Sequence, residues 1–196
     1  MGILLIAASP VAPSRSAALL AAAGLELEAA GLEPHMLNLR ELPAEALLGQ
    51  AEHPAVKNAV RQVADAHAIV IATPIYKAAY SGLLKVFLDL LPPEALRRKA
   101  VLPMATGGST AHLLALDYAL QPVLGMLGAR DILDAVYAAE AQLSPRHGGG
   151  YEIDDDIQRR VRRGVAALVA RIPILRAGDG GARLAHAPAE AARCSA

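Results

Sequence analysis

The sequence has no tryptophan, one phenylalanine and one cysteine among its 196 residues. A lone cysteine excludes a disulfide within the chain and points to a reducing compartment. It is Cys194, in the final residues, a poor place for a catalytic thiol. Net charge is missing too, since 19 Lys and Arg balance 19 Asp and Glu. That balance advertises neither a nucleic-acid nor a membrane partner. No apolar run is long enough to span a bilayer. The opening Met-Gly-Ile-Leu-Leu-Ile-Ala-Ala has no basic residues and too short an apolar run for a signal peptide. Ile6 stands where a myristoylation signal has Ser or Thr. Metal chemistry has no support either, because His35, His53 and His67 share no ligand spacing and read as surface or capping residues. The phosphate motifs G-x-x-x-x-G-K and G-x-G-x-x-G are both absent. The expectation is a soluble, cytoplasmic protein.

What is abundant is small and aliphatic: hydrophobic residues make up 54% of the chain, mostly Ala and Leu. Such residues suit close helix–sheet packing, and the length suits one domain. Residues 2–8 form a short apolar run ended by Ser9-Pro10, as in a strand buried on both faces. A helix is expected over 17–30, closed by Gly31. A second strand is expected at 33–39. A polar connection from Arg40 to His53 leads to a helix opening at Pro54. The apolar run Ala68–Ala72 predicts a third strand, followed by a loop at 73–77 and a helix to Leu91 that Pro92-Pro93 ends. Residues 100–106 predict a fourth strand in which Pro103 removes a ladder hydrogen bond. A helix over 111–127 is apolar almost all round, which implies burial on more than one side and a partner subunit on its outer face. Pro122 within it deprives the Tyr118 carbonyl of its donor, so a kink or a π-type bulge is expected there. A fifth strand at 132–138, a mobile Gly-rich loop at 142–150 and an amphipathic helix at 152–172 complete the domain, 1–172. The tail, 173–196, has little to bury and is expected to be poorly ordered.

Alternating strands and helices predict a doubly wound α/β fold: a flavodoxin-like, five-stranded parallel sheet in the order 2-1-3-4-5, with helices on both faces. Ligands of such sheets sit outside the carboxyl ends of the strands, so three loops converge. The first carries Ser9, Ser14, Arg15 and Ser16 at a helix amino terminus, a setting for a phosphate; an ordinary N-cap is the simpler reading of any one serine. In the second, Pro74 and Ile75 can wall a flat ligand and Tyr76 can stack or donate, although Tyr76 and Tyr80 also fit as amphipathic rim residues. In the third, Thr106-Gly107-Gly108-Ser109 lets the backbone approach a ligand. A phosphate loop with two ring-holding loops describes an FMN site.

Three stretches also resemble a known family. They are Ser9-Pro10 with Ser14-Arg15-Ser16, T-P-I-Y-K-A-A-Y-S-G-L-L-K at 73–85, and T-G-G-S-T-A-H-L-L-A-L-D-Y-A-L-Q-P at 106–122. Together they resemble the NADPH-dependent FMN reductases, most closely the alkanesulfonate-assimilation branch that serves two-component monooxygenases. The resemblance holds to about residue 137 and fades beyond, and the chain departs from the family at Gln142–Tyr151. It implies phosphate contacts from Ser9, Ser14, Arg15 and Ser16, and ring contacts from Pro74, Ile75, Tyr76, Lys77, Thr106, Gly107, Gly108 and Ser109, with His112 nearby. It implies a π-helix at Tyr118 in a tetramer interface, with Tyr118 modulating flavin exchange. It also implies FMN used as a substrate or loosely bound cofactor, NADPH as reductant, and a monooxygenase as acceptor of reduced FMN. No side-chain acid or base is required, because the cofactor carries the reaction. Two other readings keep the fold: a quinone, azo or metal-oxyanion reductase with tightly held FMN, and a non-enzymatic flavodoxin-type electron carrier.

Overall fold

The computed structural model describes residues 2–49 and 52–179, with side chains as far as 172. Its central sheet runs through β1 (Gly2–Ala7), β2 (Pro34–Asn38), β3 (Ala66–Tyr76), the two-residue β4 (Ala79–Tyr80), β5 (Ala100–Gly107), β6 (Asp131–Ile132) and β7 (Val136–Ala139). All pairings in it are parallel except the β3–β4 hairpin. The order is β2-β1-β3-β5, with β6 and β7 both on the far flank of β5. This is the expected 2-1-3-4-5 arrangement with its last strand in two pieces.

Side-chain alternation along β1 sorts the core into two layers. Ile3, Leu5 and Ala7 pack on one face with Leu19, Leu20, Ala23 and Leu27 of α1 (Arg15–Ala29) and with Ile157, Val161, Val165 and Leu168 of the last helix. Leu4, Ile6 and Ala8 pack on the other face with Ala59 and Val63 and with Leu84, Phe87 and Leu88. That second face is covered by the short α2 (Ala44–Leu47), α3 (Pro54–Asp65) and α4 (Gly82–Asp89). α1 ends as its sequence predicts. Gly31 takes φ +75 while its N–H donates to the Glu28 carbonyl and that of Leu32 donates to Leu27, a Schellman closure. His53 caps α3, its Nδ1 accepting from the Ala55 N–H at 3.1 Å.

Four features differ from the sequence reading. First, β3 does not stop at Ala72 but runs through Thr73 and Pro74, which pair with Ala105 and Thr106. β1 has ended by then, so Pro74 falls where one flank of the strand is open. Second, the fifth strand is interrupted at Leu133–Ala135. Val101 accepts from the Leu133 N–H at 2.9 Å, so its polar groups face that strand. Pro103, two residues on, faces the same way with no N–H to give, and the ladder lapses beside it. Third, the 111–127 segment carries the π-type bulge expected at Tyr118 but is broken further than expected. It is a 3-10 turn at Thr110–Leu113, a π-helical turn at Leu116–Leu120 and α5 (Gln121–Met126). The Gln121 N–H donates to the Leu116 carbonyl, five residues back, and Pro122 stands immediately after it. Fourth, the Gly-rich stretch after β7 is a hairpin, β8 (Leu143–Pro145) against β9 (Tyr151–Ile153). Its turn uses Gly148, Gly149 and Gly150 at φ +93, +103 and +79. The last helix, α6 (Asp155–Asp179), continues past the domain boundary expected at 172; the remaining tail and Cys194 lie outside the described residues.

Candidate active site

The three loops meet at the carboxyl edge of the sheet. In the first, Ser14 is extended at φ −136, ψ 147, and its Oγ accepts from the Ala17 N–H at 3.1 Å. Ser14 is therefore the N-cap of α1, as the simpler reading has it. Ser16 Oγ lies 3.3 Å from Ser14 Oγ. Ser9 is buried, and its hydroxyl donates to the Val11 carbonyl at 3.0 Å. These hydroxyls and the dipole end of α1 face the same recess.

The second loop is a hairpin tip. Lys77 at φ +50 and Ala78 at φ +63 form its two-residue turn, and β4 returns along β3 so that Ile75 pairs with Tyr80. A two-residue turn of this left-handed kind favours Asn-Gly, and Lys-Ala carries no such signature. Two buried hydroxyls fasten the hairpin to the sheet. Thr73 Oγ1 accepts from the Ser81 N–H at 3.0 Å. Ser81 Oγ donates to the Ala8 carbonyl at 2.6 Å and caps α4 by accepting from the Leu84 N–H at 3.1 Å. Lys77 sits at the tip, exposed and outside the recess, while Pro74, Ile75 and Tyr76 line it.

In the third loop the two glycines have different reasons to be glycine. A Cβ on Gly107 would lie 2.6 Å from the Tyr137 hydroxyl; one on Gly108 would meet nothing within 4 Å. Tyr137 is buried and donates to the Ser109 carbonyl at 2.5 Å, so it props the loop from beneath. Burial, aided by the negative charge of Glu140, pushes its phenol above the usual tyrosine value and keeps it a donor. Sequence reasoning missed Tyr137, whose only signal is its place in the fifth strand beside the glycines. His112 lies behind Gly107, its Nδ1 buried and without a hydrogen-bond partner.

Ser9, Ser14, Arg15, Ser16, Pro74, Ile75, Tyr76 and Thr106 share one recess of about 130 Å³. Val11, Pro13, Glu140 and Tyr151 complete its wall, and no local pattern marks Glu140 or Tyr151 for that place. Arg15 joins the loops to the β8–β9 hairpin: its Nε donates to the Leu143 carbonyl at 3.3 Å, its Nη1 lies 3.5 Å from Glu140 Oε2, and its guanidinium lies 5.2 Å from the centre of the Tyr151 ring. Lys77, Gly107, Gly108, Ser109 and His112 lie beside the recess rather than in its wall. A larger cavity, about 500 Å³ around His35, Met36, Gln62 and Asp65, opens at the amino ends of the strands, away from the convergent loops.

These residues fit FMN. The serines, Arg15 and the start of α1 suit its phosphate. The free space over Gly108 leaves that backbone open to the approach of a flat ring. Among the described residues no cluster of His, Cys, Asp or Glu is placed to hold a metal, and no helix is long and apolar enough to cross a membrane.

Fold and site together define a flavodoxin-like α/β protein. A family described as NADPH-dependent FMN reductase matches residues 1–143, and the chain belongs to that family. It is 47% identical over 148 residues to the FMN reductase (NADPH) of Escherichia coli strain K12, covering 75% of this chain and 78% of that one. It is 37% identical over 136 residues to the NADH-dependent FMN reductase SfnE of Pseudomonas putida, covering 67% and 73%. The apo crystal structure of the NADH:FMN oxidoreductase EMOB superposes with a TM-score of 0.76 at 35% identity, covering 85% of this chain and 87% of that one. The protein is an oxidoreductase that uses FMN and NADPH.

Proposed function

We propose that the protein reduces free FMN, taking it up as a substrate and releasing it reduced to a flavin-dependent monooxygenase, such as an alkanesulfonate monooxygenase. The observation that carries this reading is that Ser9, Ser14, Arg15 and Ser16, at the start of α1, share one recess with Pro74, Ile75, Tyr76 and Thr106, so a phosphate anchor and a ring wall stand together at the carboxyl edge of the sheet. When bound, the flavin accepts a hydride from the nicotinamide of NADPH. The chain's part is to orient: Ser9, Ser14, Arg15 and Ser16 anchor the phosphate, Pro74–Tyr76 wall the ring, and the Tyr137-supported glycine loop admits its polar edge.

A homo-oligomer formed through the 111–127 segment belongs to the same reading. Leu114, Tyr118 and Met126 are exposed on its outer side, Tyr118 at 79% and Met126 at 84%. In this arrangement the π-helical turn, Leu116–Leu120, sets the rate of flavin exchange. Its test is Tyr118→Ala: unchanged FMN affinity, assembly and turnover would remove that role.

The test of the whole reading is NADPH oxidation by dialysed, colourless protein with and without free FMN. Oxidation that requires FMN and saturates with it is the expected outcome. Protein that stays yellow through dialysis and needs a quinone or dye would move the function to a tight-FMN reductase. Failure to oxidise NADPH at all would leave an electron carrier.

A further inference from the structure

Arg15 is the only cation in the wall of the phosphate recess, and Glu140 is the only anion, among the described residues. The two face each other: Arg15 Nη1 lies 3.5 Å from Glu140 Oε2. Charge-assisted hydrogen bonds are shorter than this, about 2.7–2.9 Å. Both side chains keep access to water, with 30% of Arg15 and 53% of Glu140 exposed. A pair of that kind is modest, strong enough to compete with an incoming anion and weak enough to break.

The rest of the guanidinium is held independently. Its Nε donates to the Leu143 carbonyl, and its face lies over Tyr151. Arginine has more N–H groups than these contacts use, so the hairpin fixes Arg15 and leaves one end to Glu140. Glu140 is fixed by its place in the chain. It opens the 3-10 turn at the carboxyl end of β7, where the Ala139 N–H donates to Gln142 Oε1 at 3.0 Å. The carboxylate is thus delivered to the recess by the sheet itself.

We infer that Glu140 is a resident competitor for Arg15 that weakens the binding of the FMN phosphate and so speeds flavin exchange. The inference rests on the recess being the FMN phosphate site. A phosphate entering it brings negative charge next to the Glu140 carboxylate. Either the carboxylate swings into solvent and surrenders Arg15, or it stays and repels. Both outcomes weaken FMN and neither touches riboflavin, which has no phosphate. An enzyme that must release its flavin gains turnover from this.

The opposite role, in which Glu140 merely positions Arg15 to receive the phosphate, predicts the opposite sign. The experiment measures dissociation constants of FMN and riboflavin for the full-length protein, by flavin fluorescence at low ionic strength. Glu140→Gln keeps the shape and removes the charge, and Glu140→Ala checks that the charge is what matters. For both variants FMN binds about five-fold tighter and riboflavin is unchanged, with the gain shrinking as salt is raised. Reduced FMN also leaves the Glu140→Gln protein more slowly in stopped-flow. Unchanged or weaker FMN binding in Glu140→Gln overturns the inference. So does a change confined to the NADPH-to-NADH preference, which would assign Arg15 to the nucleotide's 2′-phosphate. Arg15→Ala separates the two levels of the argument. If it leaves the FMN-to-riboflavin ratio as in the unaltered protein, the phosphate site itself is misplaced. If it raises the FMN dissociation constant relative to that of riboflavin while Glu140→Gln does nothing, the site stands and the competitor does not.

Discussion

Gly107 and Gly108 are neighbours under opposite constraints. Gly107 is glycine because the protein fills its Cβ position, and Gly108 has empty space there. Gly107→Ala must displace the Tyr137 hydroxyl, which is pinned on the Ser109 carbonyl, and should destabilise the fold by about 1–3 kcal/mol in thermal or urea unfolding. Tyr137→Phe alone should cost about 1 kcal/mol, and the double variant should lose less than the sum. Gly108→Ala should leave stability within about 0.5 kcal/mol of the parent yet weaken FMN binding measurably in titration. The Tyr137 phenol also sets a pH limit. Its folded pKa is raised above 10.0, the ordinary tyrosine value. Below pH 10.0 the group is protonated folded and unfolded, so its contribution is fully present; above it the unfolded chain loses the proton first, and stability falls. Tyr137→Phe should remove part of that alkaline loss in unfolding curves recorded on both sides of the tyrosine range.

The element that places the ring-holding residues is the β3–β4 hairpin, and its two ends differ in quality. At the base, Ser81 serves the Ala8 carbonyl and the Leu84 N–H with one buried hydroxyl. Ser81→Ala removes a helix cap and strands a buried carbonyl, so a loss of about 2 kcal/mol is expected from chemical denaturation. At the tip, Lys77 and Ala78 are both left-handed without being glycine or asparagine. Replacing them by Asn-Gly should raise stability by about 1 kcal/mol, read as a higher Tm, while FMN binding stays within error because Lys77 is exposed at the hairpin tip. A clear loss of binding would instead make Lys77 a flavin contact, as its motif implies.

For the whole molecule, the proposed homo-oligomer predicts that a second copy docks on the exposed apolar groups of the 111–127 segment. Leu114→Asp should lower the sedimentation coefficient without lowering Tm, since the 56%-exposed Leu114 side chain contributes little to the monomer core. Unchanged sedimentation would place the interface elsewhere. The β8–β9 hairpin is the other large-scale feature. It lies across the start of α1 through Arg15 and begins at Leu143, where the family match ends.

Much of this was legible in the chain. Period and punctuation alone placed the strands at 2–8 and 100–106 and the Gly31 closure of α1, because buried parallel strands and helix ends are written in local residue types; the sheet order followed from the general rule for alternating strands and helices. Pro122 announced a defect near Tyr118, since a missing N–H is a local fact, and a π-helical turn stands there. The rest depended on neighbours. Pro103 signalled a lost hydrogen bond, but only pairing showed that the loss falls on the fifth strand and splits it. The Lys77-Ala78 turn had no sequence signature, because the buried bonds of Thr73 and Ser81 outweigh its backbone preference. Tyr137, Glu140 and Tyr151 come to the site from more than a hundred residues beyond the serine loop. Their roles exist only where the folded sheet brings its last strand and hairpin against Arg15 and Ser109, and no local pattern encodes a meeting of that kind.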